Sequence, residues 1–465
     1  MGLKSNRHGV KAELKMRFPQ AFREFDNLVD ARNASMASRE QCVAFIDGNV
    51  LLHSVPQNAH TIDAYVAIVT NNLKKAIATS FVTIVVFDEP ACLTEAKAQE
   101  QKKRDAARQS VAVNCSSDLA DPTPTDDDYQ KQHIASTANV HTLVHNRRTR
   151  LRFFDEVAMR VLSNLQSLID RWQASGFEGG NILFDGIDPR GADRPLKSAR
   201  EPQMFGSCEK LATTFKRSIS IGEGDLKLAD LGRRTRELCL GSEEEPSPFH
   251  QVKLCLCTTI DTDSFAIELL EEAKKCKEIP KAKRPLHTLL CMKERAAKRG
   301  RDDDREPFFL CCDVSLLQAL LQQHLWGISR SPSLDDRHAA MTLLCTGWAL
   351  CGCDFVEAKG MRSDFVFESL PELLKTDADL IDAIKSAWSG KREDVDNLYG
   401  PIRKIAQACA PLTLDVPRAN PEHTAALRDL DDMIVRRAAW VSCYWNSCEF
   451  KGSMEDFGFF RSECD

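Results

Sequence analysis

Seven carboxylates stand at comparable places along the chain: Asp47, Asp88, Glu223, Asp225, Asp261, Asp263 and Asp354. Four of them form two tight pairs, Glu223-Gly224-Asp225 and Asp261-Thr262-Asp263. Clustered like charges repel unless something positive neutralises them. Hard oxygen ligands suit Mg²⁺ or Mn²⁺, and Mg²⁺ commonly keeps waters and joins substrate phosphates. Two such ions can activate a water and stabilise the departing oxygen of a phosphodiester. The seven acids are therefore candidate metal ligands and catalytic residues of a phosphodiester-cleaving centre that takes two ions. That chemistry needs no nucleophilic side chain and no histidine base. His53, on the apolar run after Asp47, reads as a packed histidine.

The elements that carry these acids follow from hydrophobic patterning. Four short apolar runs end in an acid: QCVAFID (41–47), VTIVVFD (82–88), NILFD (181–185) and VKLCLCTTID (252–261). Their length and their β-branched and aromatic content predict strands buried on both faces. Helices are predicted between them over 61–80, 93–112, 151–174, 224–240 and 263–276. This alternation predicts an α/β fold with a mostly parallel central sheet flanked by helices. Acids at the carboxyl ends of such strands sit where open α/β sheets bind ligands. At a helix start, Glu223 and Asp225 benefit from the positive end of the helix dipole, and the glycines beside them permit a sharp turn. Asp261 and Asp263 flank a strand-to-helix turn, which lets both face one cleft.

Between and beyond these elements the chain divides into an N-terminal half of the catalytic domain (1–113), a polar Pro/Asp/Thr-rich loop (114–140), a second half with basic insertions (141–332) and a helical C-terminal region (333–465) that carries Asp354. The insertions are 187–217, Gly/Pro-broken and basic, and Lys277–Glu306, whose charge runs predict a solvated surface.

The same motifs, taken in order, resemble the metal-dependent 5′-nucleases: flap endonucleases, the XPG nucleases and the XRN 5′→3′ exoribonucleases, which share a PIN-like fold. Met1-Gly2-Leu3 is similar to the family's N-terminus, and Arg17-Phe18-Pro19 to a segment that follows it in exoribonucleases. FIDGNVLLH (45–53) resembles the first acidic motif, and VVFDEPACLTEAKAQEQKKR (85–104) the second. GEGDLKLADLGRR (222–234), TTIDTDSFAIELL (258–270) and LCGCDFVEAKGMR (350–362) are similar to the remaining three. The resemblance covers residues 1–375 and implies that all seven acids bind two or more Mg²⁺ or Mn²⁺ ions. It further implies substrate contacts from Gly2, from Lys97, Gln101 and Arg104 on the helix after Asp88, and from Arg147 and Arg150 in a basic segment before the 151–174 helix. EPFFLCCDVSLLQALLQ (306–322) looks like the strand and helix that precede the last acidic motif in exoribonucleases. The single glycine Gly360, in place of Gly-x-Gly, departs from the duplex-gripping turn of flap endonucleases.

Composition narrows the alternatives. The chain has 465 residues, 43% hydrophobic and 28% charged, with a net charge of −6, so a nucleic-acid partner would need a local basic patch. No apolar stretch approaches the ~18 residues of a membrane span. The N-terminus has no apolar leader segment, and Asn6 stands where a myristoylation motif wants Ser or Thr. The 18 cysteines include no CxxC pair and predict buried thiols without disulfides in a reducing compartment, nucleus or cytoplasm. Together these features predict an intracellular, monomeric hydrolase acting on DNA or RNA with a free 5′ end. A dedicated XRN-like or host-shutoff-like exoribonuclease is one alternative. A second is a catalytically silent nucleic-acid-binding relative. A third is a haloacid-dehalogenase-type phosphatase, in which Asp261 would be a covalent nucleophile and Asp263 an acid. In the C-terminal segment 435–450, Trp440 and Tyr444 at helical spacing predict a helix docked on the core, with base stacking as the competing reading.

Overall fold

The computed structural model describes residues 3, 9–53, 61–88, 147–176, 180–185, 204–215, 224–241, 247–279, 286–294, 308–327, 332–353, 355–356, 361–377, 379–386, 393–414 and 432–446. Its strands form one eight-stranded sheet: β1 (Phe22–Phe25), β2 (Cys42–Asp47), β3 (Val82–Val86), β4 (Asn181–Asp185), β5 (Phe205–Gly206), β6 (Leu254–Thr259), β7 (His287–Glu294) and β8 (Phe308–Asp313), in the order β1-β8-β7-β6-β2-β3-β4-β5. The central strands β7, β6, β2, β3 and β4 run parallel, while β1, β8 and β5 pair antiparallel with their neighbours. Every residue of β2, β3, β4 and β6 is buried. That is why these four strands read as continuous apolar runs rather than as alternating ones.

Alternation along each strand sends side chains to two faces. On one face, Val43, Phe45, Ile84, Cys257 and Leu290 join the helices Gly224–Leu240, Asp263–Glu278, Val314–Trp326 and Leu334–Leu350 in a single apolar cluster, which continues into the C-terminal helices. On the other face, Ile46, Val85, Ile182 and Phe184 pack under Ile62–Thr79 and Arg147–Ala174. The remainder of that face, from Ala44 to Cys311, lies beneath the short helix Leu28–Ala34. The central helix of the C-terminal layer, Leu334–Leu350, is buried from His338 onward and starts with a capping box between Ser333 and Asp336.

Three expectations change. The Lys277–Glu306 segment is not all solvated surface, because His287–Glu294 inside it is β7, five of whose eight residues are buried. The 187–217 insertion contains the edge strand Phe205–Gly206 and the helix Glu209–Phe215. Arg147 and Arg150 do not precede the next helix but lie in its first turn, since Arg147–Ala174 is continuous. Arginine is a good helix former, and no breaker separates the two stretches. The helix predicted over 93–112 and the loop 114–140 lie outside the described residues. No helix among the described residues is long and apolar enough to cross a membrane.

Candidate functional site

Parallel pairing aligns the carboxyl ends of four central strands. Asp47 stands in register with Val86, and Val86 with Asp185, while Ile46 one row below pairs with Thr258. Asp47, Asp185 and Thr259 thus end their strands along one edge, and Asp88 follows two residues beyond β3. The helix that starts at Gly224 comes down onto this edge. The backbone N–H of Gly224 donates to Asp88 Oδ1 at 2.8 Å, so the acid meets the positive end of the helix. A Cβ at Gly224 would lie 3.3 Å from Asp88 Oδ1 and 3.9 Å from Asp47 Oδ1. A side chain at this position would press on Asp88 and merely touch Asp47.

The second group forms around Thr259. Ser264 Oγ donates to Asp225 Oδ1 at 2.7 Å, and Thr259 Oγ1 donates to the same oxygen at 3.3 Å. Thr259 Oγ1 in turn accepts from the Asp261 N–H at 3.0 Å. The N–H of Asp263 lies 3.4 Å from Asp261 Oδ1, folding the turn back on itself. Asp263 is 5% exposed, and its Oδ1 accepts the N–H of Leu3, while the Thr262 hydroxyl donates to the Leu3 carbonyl. Leu3 is therefore strapped to the strand-to-helix turn, beside the acids.

Behind the site lies an ion pair that the sequence reading did not assign. Lys227 Nζ sits 3.1 Å from Asp185 Oδ2 and donates to the Phe87 carbonyl at 3.2 Å, with both side chains at most 3% exposed. Asp185 ends an apolar strand like the other acids, but its charge is matched by a lysine two residues beyond Asp225. The hydroxyls of Thr259 and Ser264 are also positioning groups of the site, and their only sequence signal is membership of the TTIDTDS segment. Deeper still, Arg236 Nη2 pairs with Glu271 Oε2 at 2.9 Å and ties together the helices Gly224–Leu240 and Asp263–Glu278.

Of the predicted site residues, the fold therefore brings Asp47 and Asp88 together at Gly224, and Asp225 and Asp261 together at Thr259, while the Asp263 carboxylate is engaged by Leu3. Glu223, Asp354, Gly2, Lys97, Gln101 and Arg104 lie outside the described residues, as do the side chains of Arg147 and Arg150. Among the described residues, no three His, Cys, Asp or Glu side chains are close enough to hold an ion by themselves. The donors that do converge are all carboxylate and hydroxyl oxygens, a set that fits Mg²⁺ or Mn²⁺ and not a soft metal. Trp440 is fully buried and stacks on Tyr444 at 4.7 Å, so it packs in the core and offers no face to a base. Compared with protein-family models and with curated proteins, the sequence matches none.

Proposed function

We propose that the chain is a divalent-metal-dependent nuclease of the PIN-like 5′-nuclease type, hydrolysing phosphodiesters of DNA or RNA near free 5′ ends inside the cell. The observation that supports this reading is the arrival of Asp47, Asp88, Asp225, Asp261 and Asp263, from sites up to about two hundred residues apart, at one edge of a parallel sheet. Bound Mg²⁺ or Mn²⁺ would supply Lewis acidity to the attacking and departing oxygens. Asp47, Asp88, Asp225 and Asp261 would hold the ions, joined by Glu223 and Asp354. Thr259 and Ser264 fix the Asp225 carboxylate in one orientation. Asp263, by accepting the Leu3 N–H, holds Leu3 at the strand-to-helix turn. That engagement also tells against the phosphatase alternative, in which Asp263 would be the proton donor.

Matched 5′-labelled flap DNA and single-stranded RNA, incubated with Mg²⁺ or Mn²⁺, test the proposal. The expected outcome is metal-dependent cleavage, abolished by EDTA and reduced by at least about a hundredfold in Asp261→Ala, a loss typical of removing a group that stabilises transition-state charge. Undiminished turnover in a folded Asp261→Ala protein would remove the catalytic assignment.

A further inference from the structure

At the sheet edge opposite the carboxylates, where β6 and β7 begin and β8 ends, a cavity of about 450 Å³ opens to solvent. That volume falls within the ~300–1,000 Å³ range of small-molecule sites. Its floor is apolar, with Phe25 and Leu289 among its lining residues. Its mouth carries Arg23 and Lys253, both exposed. Neither side chain makes an ion pair or hydrogen bond among the described residues. His287 adds a third nitrogen group, held by Asp313 at 3.3 Å.

Met36 stands on the rim and breaks a local rule. It follows the helix Leu28–Ala34 with φ of 53°, the N–H of Met36 bonding to the Asn33 carbonyl and that of Ala37 to the Arg32 carbonyl. This is a Schellman turn, whose left-handed position is ordinarily glycine. A methionine there costs conformational energy, yet its side chain is 93% exposed and so gains little from packing. A flexible thioether at a cavity mouth suits contact with a flat ring.

We propose that this cavity binds a small ligand that joins an anionic group to a flat heteroaromatic ring, the chemistry of a nucleoside monophosphate. Arg23 and Lys253 take the anion, while Phe25, Leu289 and Met36 take the ring. The proposal does not rest on the nuclease reading.

Calorimetric titration with AMP, inorganic phosphate and adenosine tests it, carried out in EDTA so that the carboxylate edge recruits nothing through metal. The expected result is AMP binding that weakens at least tenfold in the Arg23→Gln/Lys253→Gln protein and severalfold in Met36→Gly, with phosphate and adenosine each binding more weakly than AMP. Circular dichroism checks that the variants fold. Equal AMP affinity in the double variant, or no AMP binding to the parent protein, would overturn the site. Phosphate binding as tightly as AMP would overturn the ring half of the proposal. Nuclease activity is not read, so its presence or absence leaves this outcome unchanged.

Discussion

Lys227 shows how much a single side chain behind the site can carry. An ammonium 2% exposed is tolerable only because Asp185 and the Phe87 carbonyl surround it. Removing one partner of such a pair leaves an uncompensated buried charge, at a cost of about 3–5 kcal/mol. Lys227→Met should therefore lose about that much stability in urea denaturation. The Lys227→Met/Asp185→Leu double variant should recover most of it, because an apolar pair of similar size asks for no desolvation. Glu268 sets a different trend. Burial pushes its carboxyl up to about 7 from 4.5, with Arg236 pulling it back down and Glu271 pushing it further up. The folded state thus holds this proton more tightly than the unfolded chain. Its contribution is complete below pH 4.5 and is lost as pH rises towards 7, about 3 kcal/mol in all. Stability of Glu268→Gln, followed by denaturant midpoints from pH 4.5 to 7.5, should lack that decline.

The elements explain which parts of this arrangement could be read from the chain and which could not. The strands β2, β3, β4 and β6 announced themselves because burial on both faces forces a continuous apolar run. The start of the Gly224–Leu240 helix was legible from its glycines and acids. The strand β7 was hidden because the charged runs on either side of HTLLCMKE dominate any window that contains it. The edge strands β1 and β5 have four and two residues, too few to establish a period. Nothing local encodes that Gly224 meets Asp88 across 136 residues, or that Asp263 meets Leu3 across 260. Such pairings follow only from the strand order. One junction makes its own prediction. A Cβ at Gly48, directly after Asp47, would lie 2.3 Å from the Phe87 ring. The ring of one strand extension therefore leaves no room for a side chain at the first residue of the helix that follows the neighbouring strand, and both flank acids of the site. Gly48→Ala should cost about 1–3 kcal/mol by overpacking. Phe87→Leu in the same chain should return part of that loss in thermal melts, since the smaller side chain vacates the contact.

At the scale of the whole molecule, the excess of negative charge is modest, −6 over 465 residues, yet five described acids gather at one edge of the sheet. Folding brings these carboxylates closer together than they are in the unfolded chain, so their mutual repulsion opposes folding whenever no cation is present. A ligand that binds only the folded state stabilises it by RT ln(1 + [L]/Kd), about 2.7 kcal/mol at a hundred times Kd. The proposed centre therefore predicts a coupled pair of effects on thermal stability. Mg²⁺ or Mn²⁺ should raise the melting temperature of the parent chain above its value in EDTA, with a dependence on metal concentration that saturates. Asp47→Asn/Asp261→Asn should melt at or above the parent in EDTA, because repulsion is relieved, and should gain little from either ion. Screening by salt would also relieve repulsion in the parent more than in the variant, so the separating control is Na⁺ at equal ionic strength, which would match Mg²⁺ or Mn²⁺ if screening alone were at work. A parent chain whose melting temperature is the same in EDTA and in saturating Mn²⁺ would mean that its acids meet for a reason other than holding metal.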